Sequence, residues 1–184
     1  MVSRVEARPY ANGKGWAIRG DTTQETDLVA EFSRSIYEKA GVIVARHTNL
    51  RVAGYFQYKG YSKALLTSCF PLYRRIRVAY IELEAVDHGA LVWPRLGWSL
   101  HGASIGEVHA EIGNLYAARH RRRPPNEFDM PLFGPDVLEL EDHEGFRIGE
   151  ETLKTFARSG REISMRLYLA SSRALAGLAR RGIL

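Results

Sequence analysis

One stretch constrains this chain more than any other: residues 42–83 read as strand, loop, helix and strand in succession. Val42, Ile43, Val44 and Ala45 open a β-rich run that continues through His47, Thr48, Asn49, Leu50, Arg51 and Val52. A loop rich in glycine and aromatics follows, from Ala53 to Gly60. A helix is expected from about Tyr61, with Ala64, Leu65, Leu66 and Phe70 apolar and an end or kink at Pro71, which has no N–H for the ladder. Residues 77–83, with Val78, Tyr80 and Ile81, read as a second strand. Strands alternating with helices set the class as α/β or α+β.

Around this centre the pattern is less compact. A strand is expected near 15–19. Thr22 and Glu25 have capping-box spacing ahead of Leu28, Val29, Phe32 and Ile36, which predicts a helix stopped by Gly41. Residues 89–96 predict a short helix closed by Gly97, and 107–119 a longer one with Ile112, Leu115 and Tyr116 apolar. Pro124 and Pro125 end any helix behind the basic run Arg119, His120, Arg121, Arg122, Arg123. An acidic stretch follows: Asp136, Glu139, Glu141, Asp142, Glu144, Glu150 and Glu151. Residues 149–160 and 163–178 both read as helical.

The chain has 184 residues, 45% of them hydrophobic, enough for a sizeable core without staples. One cysteine, Cys69, excludes an intrachain disulfide and a cysteine zinc cluster. No apolar run approaches the roughly 20 residues of a membrane helix, and the first residues lack the apolar core of a signal peptide. A cytoplasmic protein is the expectation, although export by a dedicated secretion machine would leave no such trace. The net charge of +5 permits contact with phosphate or nucleic acid without requiring it.

The chemistry concentrates at Gln57, Tyr58, Lys59, Gly60, Tyr61, Ser62 and Lys63. A strand leading through glycine into a helix start presents unpaired backbone N–H groups that, with the helix dipole, suit a phosphate. An ordinary strand-to-helix connection can have the same composition. The longer pattern adds Gln57, Gly60 and Ser62 after a strand, then Trp93, Gly97 and Trp98 after a short helix. In these residues the sequence resembles the GNAT superfamily of acyl-CoA N-acyltransferases. It is similar to the GNAT-like domains of phage head proteins and polymorphic toxins. The family loop reads Q/R-x-x-G-x-G/A, with Ser62 standing here for the last residue. The resemblance spans residues 40–100 and extends faintly through 146–150.

The resemblance implies a mixed, strongly twisted central sheet flanked by helices. It implies an acyl-CoA-binding core over 1–120 and a helical extension over 121–184 packed on it. It implies acetyl-CoA as cosubstrate, no metal, and an N-acetyltransferase acting on a small-molecule or protein amine. The cofactor would lie against Leu50, Val52, Gln57, Tyr58, Lys59, Gly60, Tyr61, Ser62, Lys63 and Trp93, its pyrophosphate on the 57–62 amides. The family commonly protonates the leaving thiolate from a tyrosine, and Trp93 occupies that position here, which leaves a catalytically inactive binding module as one alternative; a basic nucleic-acid-binding domain is the other.

Candidate bases follow from position. His47 lies on the strand entering the loop and, by simple alternation, on the face opposite Leu50 and Val52. Glu82 and Glu84 share one face of the second strand, suited to a base or to holding an acceptor ammonium. Asp87 and His88 follow in a loop. His101, His109 and His120 lack metal-ligand spacing. Arg121, Arg122 and Arg123 would serve tRNA or other nucleic acid, an acidic protein, or the CoA 3′-phosphate. No membrane contact is expected, and a homodimer stays open.

Overall fold

The computed structural model describes residues 2–180 and 182, apart from 26, 58–59, 126–127 and 129. The fold is mixed α/β and has two compact units, Met1–Leu83 with Tyr168–Leu184, and Glu84–Leu167.

In the first unit, β1 (Val2–Pro9), β2 (Gly15–Gln24), β3 (Asp27–Lys39) and β4 (Val42–Val52) form an antiparallel meander. Ala40 and Gly41, both at positive φ (51° and 78°), make the two-residue turn between β3 and β4. Two such residues give the turn whose twist matches that of the flanking strands. α1 (Tyr61–Arg75) then leads to β5 (Val78–Ala85), whose first residues pair parallel to β4, Ala45 opposite Ile81 and His47 opposite Leu83. Leu66, Phe70 and Tyr73 of α1 are buried, as are Val44, Ala45 and Ile81. α6 (Ser172–Arg180) closes the unit with Ala174 and Leu178 inward.

The second unit contains α2 (Gly89–Arg95), β6 (Ser99–Leu100), α3 (Ala103–His120), α4 (Gly134–Glu139), α5 (Ile148–Ser159) and β7 (Ile163–Tyr168) up to Leu167. β6 pairs antiparallel to β7, and Trp98, Ile112, Tyr116, Leu153, Phe156 and Met165 fill the core.

Three expectations change. The helix expected over 28–36 is strand β3. Its backbone is paired on both sides, by β2 and β4, and Val29, Ala30 and Arg34 are buried. The 1–3–4 spacing of its apolar residues came from a strand that buries residues on both faces. The helix expected over 163–178 is β7 followed by α6. Ile163, Met165 and Leu167 are buried at a period of two, and a turn at 169–170 separates the two elements. α1 continues through Pro71 to Arg75.

Candidate functional site: the turn after β4 and the start of α1

Ala53 ends β4 by donating its N–H to Val29 O (2.9 Å), and a single 3-10 turn follows, Gly54–Phe56. Gln57 folds back on this turn. Its backbone N–H donates to Gly54 O (3.2 Å) and its side-chain Nε2 to Val52 O (3.2 Å). Gly60 is the N-cap of α1 at φ 84°, ψ 14°, a left-handed conformation that favours glycine. Among the described residues, a Cβ built there meets nothing within 4 Å, so the Gly60 position itself is open. The first intrahelical bond runs from Ala64 N to Gly60 O (2.9 Å). The first turn carries no acidic residue and no side-chain cap. Its amides therefore have no acceptor within the helix, and the dipole adds positive potential. Lys63 is exposed and Tyr61 half-buried beside them. Tyr58 and Lys59 lie outside the described residues, and of Ser62 only its place in the first turn is described.

His47 is placed differently from expectation. In the β3–β4 pairing, Ser33 faces Asn49 but Arg34 faces His47, so Thr48 is an extra residue in β4. Such a bulge reverses the alternation beyond it. His47, Leu50 and Val52, which face Arg34, Phe32 and Ala30, therefore share one side, with Leu50 and Val52 half-buried. This is the side covered by α1.

There His47 joins a buried group that the sequence reading missed. Arg34 Nη1 donates to Cys69 Sγ and to Tyr73 Oη (3.4 Å), and its guanidinium lies 4.4 Å from the Phe32 ring centre. The Cys69 thiol donates onward to Leu65 O (2.8 Å). Tyr73 Oη, having accepted from Arg34, is left to donate its hydrogen to His47 Nε2 (2.8 Å). Among the described residues no carboxylate pairs with Arg34. The cation is thus solvated by two neutral dipoles, each passing its own hydrogen to a further acceptor. Burial, and secondarily the Arg34 charge, hold the His47 pKa down at about 3. A neutral, enclosed imidazole does not meet the expectation of a base titrating near neutrality.

Glu82 lies elsewhere in this unit. It is opposite Arg46 in the parallel pairing, accepts from Tyr37 Oη (2.5 Å) and is 3.8 Å from Lys39 Nζ. Burial and the adjacent Glu82 carboxylate push the Tyr37 phenol up to about 12, so it stays protonated. Tyr37 had no sequence signal, because it belongs to a segment read as helix.

The remaining candidates belong to the second unit. Glu84 is exposed and accepts from Ser164 Oγ (2.6 Å). Asp87, at φ 47°, and His88, the N-cap of α2, are exposed. Trp93 is buried, with its ring edge-on to Trp98 at 5.4 Å. Arg121, Arg122 and Arg123 are exposed. Arg121 caps α3 at φ 53° by donating its N–H to Ala117 O (2.8 Å).

No protein-family model matches the chain, and no curated protein matches it either. Among solved structures it is similar to an IAA acetyltransferase from Bacillus cereus ATCC 14579, at 9% identity over 91% of this chain and 100% of that one, TM-score 0.43. A Bacillus subtilis acetyltransferase in complex with CoA gives 11% identity over 91% and 99%, TM-score 0.43. A GNAT family acetyltransferase from Elizabethkingia anophelis with acetyl-CoA bound gives 8% over 91% and 98%, TM-score 0.42.

Proposed function

We propose that this chain is a GNAT-type protein that binds acetyl-CoA at the start of α1 and transfers the acetyl group to an amine. The observation that carries this reading is the open, left-handed Gly60 N-cap of a 15-residue helix set directly behind strand β4, with Lys63 in the first turn and no acid there. A pyrophosphate fits the chemistry of such a helix start. Leu50 and Val52 offer a half-buried apolar edge on β4 for the pantetheine arm.

In the transfer, the amine nitrogen bonds to the thioester carbonyl carbon, the C–S bond breaks, and the amine gives up a proton. Glu82 is the carboxylate for that proton, and before it, for the acceptor ammonium. Tyr37 and Lys39 hold it in place. The thiolate leaves without a tyrosine at position 93. Titration calorimetry with CoA tests the binding site. Gly60→Asp should weaken binding at least tenfold, because a carboxylate would face the phosphates and a left-handed φ would be imposed on a residue with a Cβ. Unchanged affinity in a folded variant overturns the placement. Glu82→Gln should leave CoA affinity intact and lower amine-dependent thiol release by about 100-fold or more.

The burial of Trp93 against Trp98 favours a second reading, a scaffold that binds CoA without turnover. CoA binding with no thiol release across a panel of amines would select it.

A further inference from the structure

In the second unit, the end of α3 meets the turn before α5 through three metal-ligating side chains. His120, His143 and Glu144 each offer one ligand atom, all within 4.8 Å of one another. Both imidazoles have their other nitrogen held. His120 Nε2 is 2.9 Å from Asp142 Oδ2, a fully buried carboxylate that only accepts, so this nitrogen carries the hydrogen. Its other ring nitrogen, Nδ1, faces Glu144 Oε1 at 3.7 Å. The other oxygen of Glu144 lies 3.4 Å from Arg119 Nη2, which leaves Oε1 on the side of the two imidazoles. His143 Nδ1 is 2.9 Å from the phenol of Tyr116, and Arg122 Nη2 lies 3.3 Å from His143 Nε2. A guanidinium can only donate, so Nε2 is the acceptor and already has a cation against it.

We propose that His120, His143 and Glu144 form a binding site for a divalent transition-metal ion of the zinc class. Asp142 and Tyr116 fix the two histidine rings, and Arg122 is the side chain the ion displaces. Two imidazoles and one carboxylate suit Zn²⁺ and leave its fourth tetrahedral position to water. A carboxylate behind a ligating histidine is the usual way such rings are oriented. Zinc–ligand bonds of about 2.0 Å set tetrahedral ligand atoms roughly 3.3 Å apart. The three residues must therefore draw inward. His143 and Glu144 are exposed residues of a turn and can do so, while Asp142 anchors His120. The ion would tie the last residue of α3 to the turn that starts at Asp142. Spacing in the sequence hides the site, because His120 and His143 stand 23 residues apart with no local motif.

The test is zinc titration of the full, chelator-treated chain, read by calorimetry and by native mass spectrometry. The expected result is one saturable site per chain, weakened at least tenfold in His143→Ala and in Glu144→Gln. It should be unchanged in His109→Ala and tighter in Arg122→Ala, which removes the competing cation. His143 and Glu144 are exposed, so both variants should fold, and unchanged circular dichroism checks this. Absence of saturable binding up to millimolar zinc overturns the site. So does loose binding of several ions, or a site whose affinity is the same in His143→Ala.

Discussion

At the scale of single residues, the group around Arg34 makes a definite acid–base statement. Protonating His47 would remove the acceptor for the Tyr73 hydroxyl and place a second cation near Arg34, which no carboxylate pairs with among the described residues. The His47 pKa lies near 3 in the folded chain, against 6.5 for an exposed histidine. The unfolded chain therefore takes up this proton first. The stability that depends on a neutral His47 is complete above pH 6.5 and is lost as pH falls from 6.5 to 3, a loss of at most about 5 kcal/mol. Urea midpoints measured across this window should fall less steeply in His47→Gln, which still accepts from Tyr73, than in the parent. Equal slopes would show that His47 is not held neutral. Arg34→Met should raise the His47 pKa from about 3 yet leave it below 6.5, since burial is the larger cause. An NMR titration of the imidazole reads this directly. None of this was legible in the sequence. His47 stood out for its place on a strand, but its partners come from β3 and α1, and although Cys69 and Tyr73 share a face of α1 at i,i+4, nothing local links them to Arg34.

At the scale of elements, legibility follows the range of the interactions that form each element. β4, the loop behind it, α1, β5, α2, α3 and α5 carry their own signals: β-branched runs, a helix-period apolar face, glycine at the stops. β3 and β7 do not. β3 is stabilised by pairing with two neighbours over most of its length, and β7 by alternate burial of Ile163, Met165 and Leu167. A helical stripe over a few residues fits such segments equally well, and pairing with distant strands overrides it. Glycine positions separate the same way. Gly149 sits in the first turn of α5, where a Cβ would overlap the carbonyl of Val137 at α4. Gly149→Ala should destabilise by about 1–3 kcal/mol or more. Gly106, exposed within α3 with nothing near its missing Cβ, predicts the opposite sign. Gly106→Ala should stabilise by about 0.5–1 kcal/mol through helix propensity. Thermal or urea denaturation of the two variants gives both signs in one experiment.

At the scale of the whole molecule, the basic excess is spread over separate places. Lys63 stands at the α1 start. Arg119 pairs with Asp142 and Glu144 at the end of α3, while Arg147 and Lys154 pair with Glu150. The acidic stretch that looked like a block in sequence is thus largely engaged within its own unit. Among the described residues no helix is long and apolar enough to cross a membrane. The class of the fold and the strand–turn–helix at Gly60 could be read from residues 42–83 because strand, glycine and helix start are contiguous there. The hydrogen-bonded pair Tyr37–Glu82 could not, since 45 residues separate its members.

The extra residue at Thr48 has a consequence for how this strand tolerates change. Its side chain is exposed, so replacing Thr48 by alanine or serine should be nearly silent, and a substitution scan would pass over the position. Removing it altogether is another matter. Asn49 would then follow His47 directly, opposite Ser33, so the pairing with β3 would become regular and Leu50 and Val52 would keep the face they share with His47. What position 48 encodes is a local bend, so single-residue deletion there should straighten β4 ahead of the Gln57 turn without exposing Leu50 or Val52.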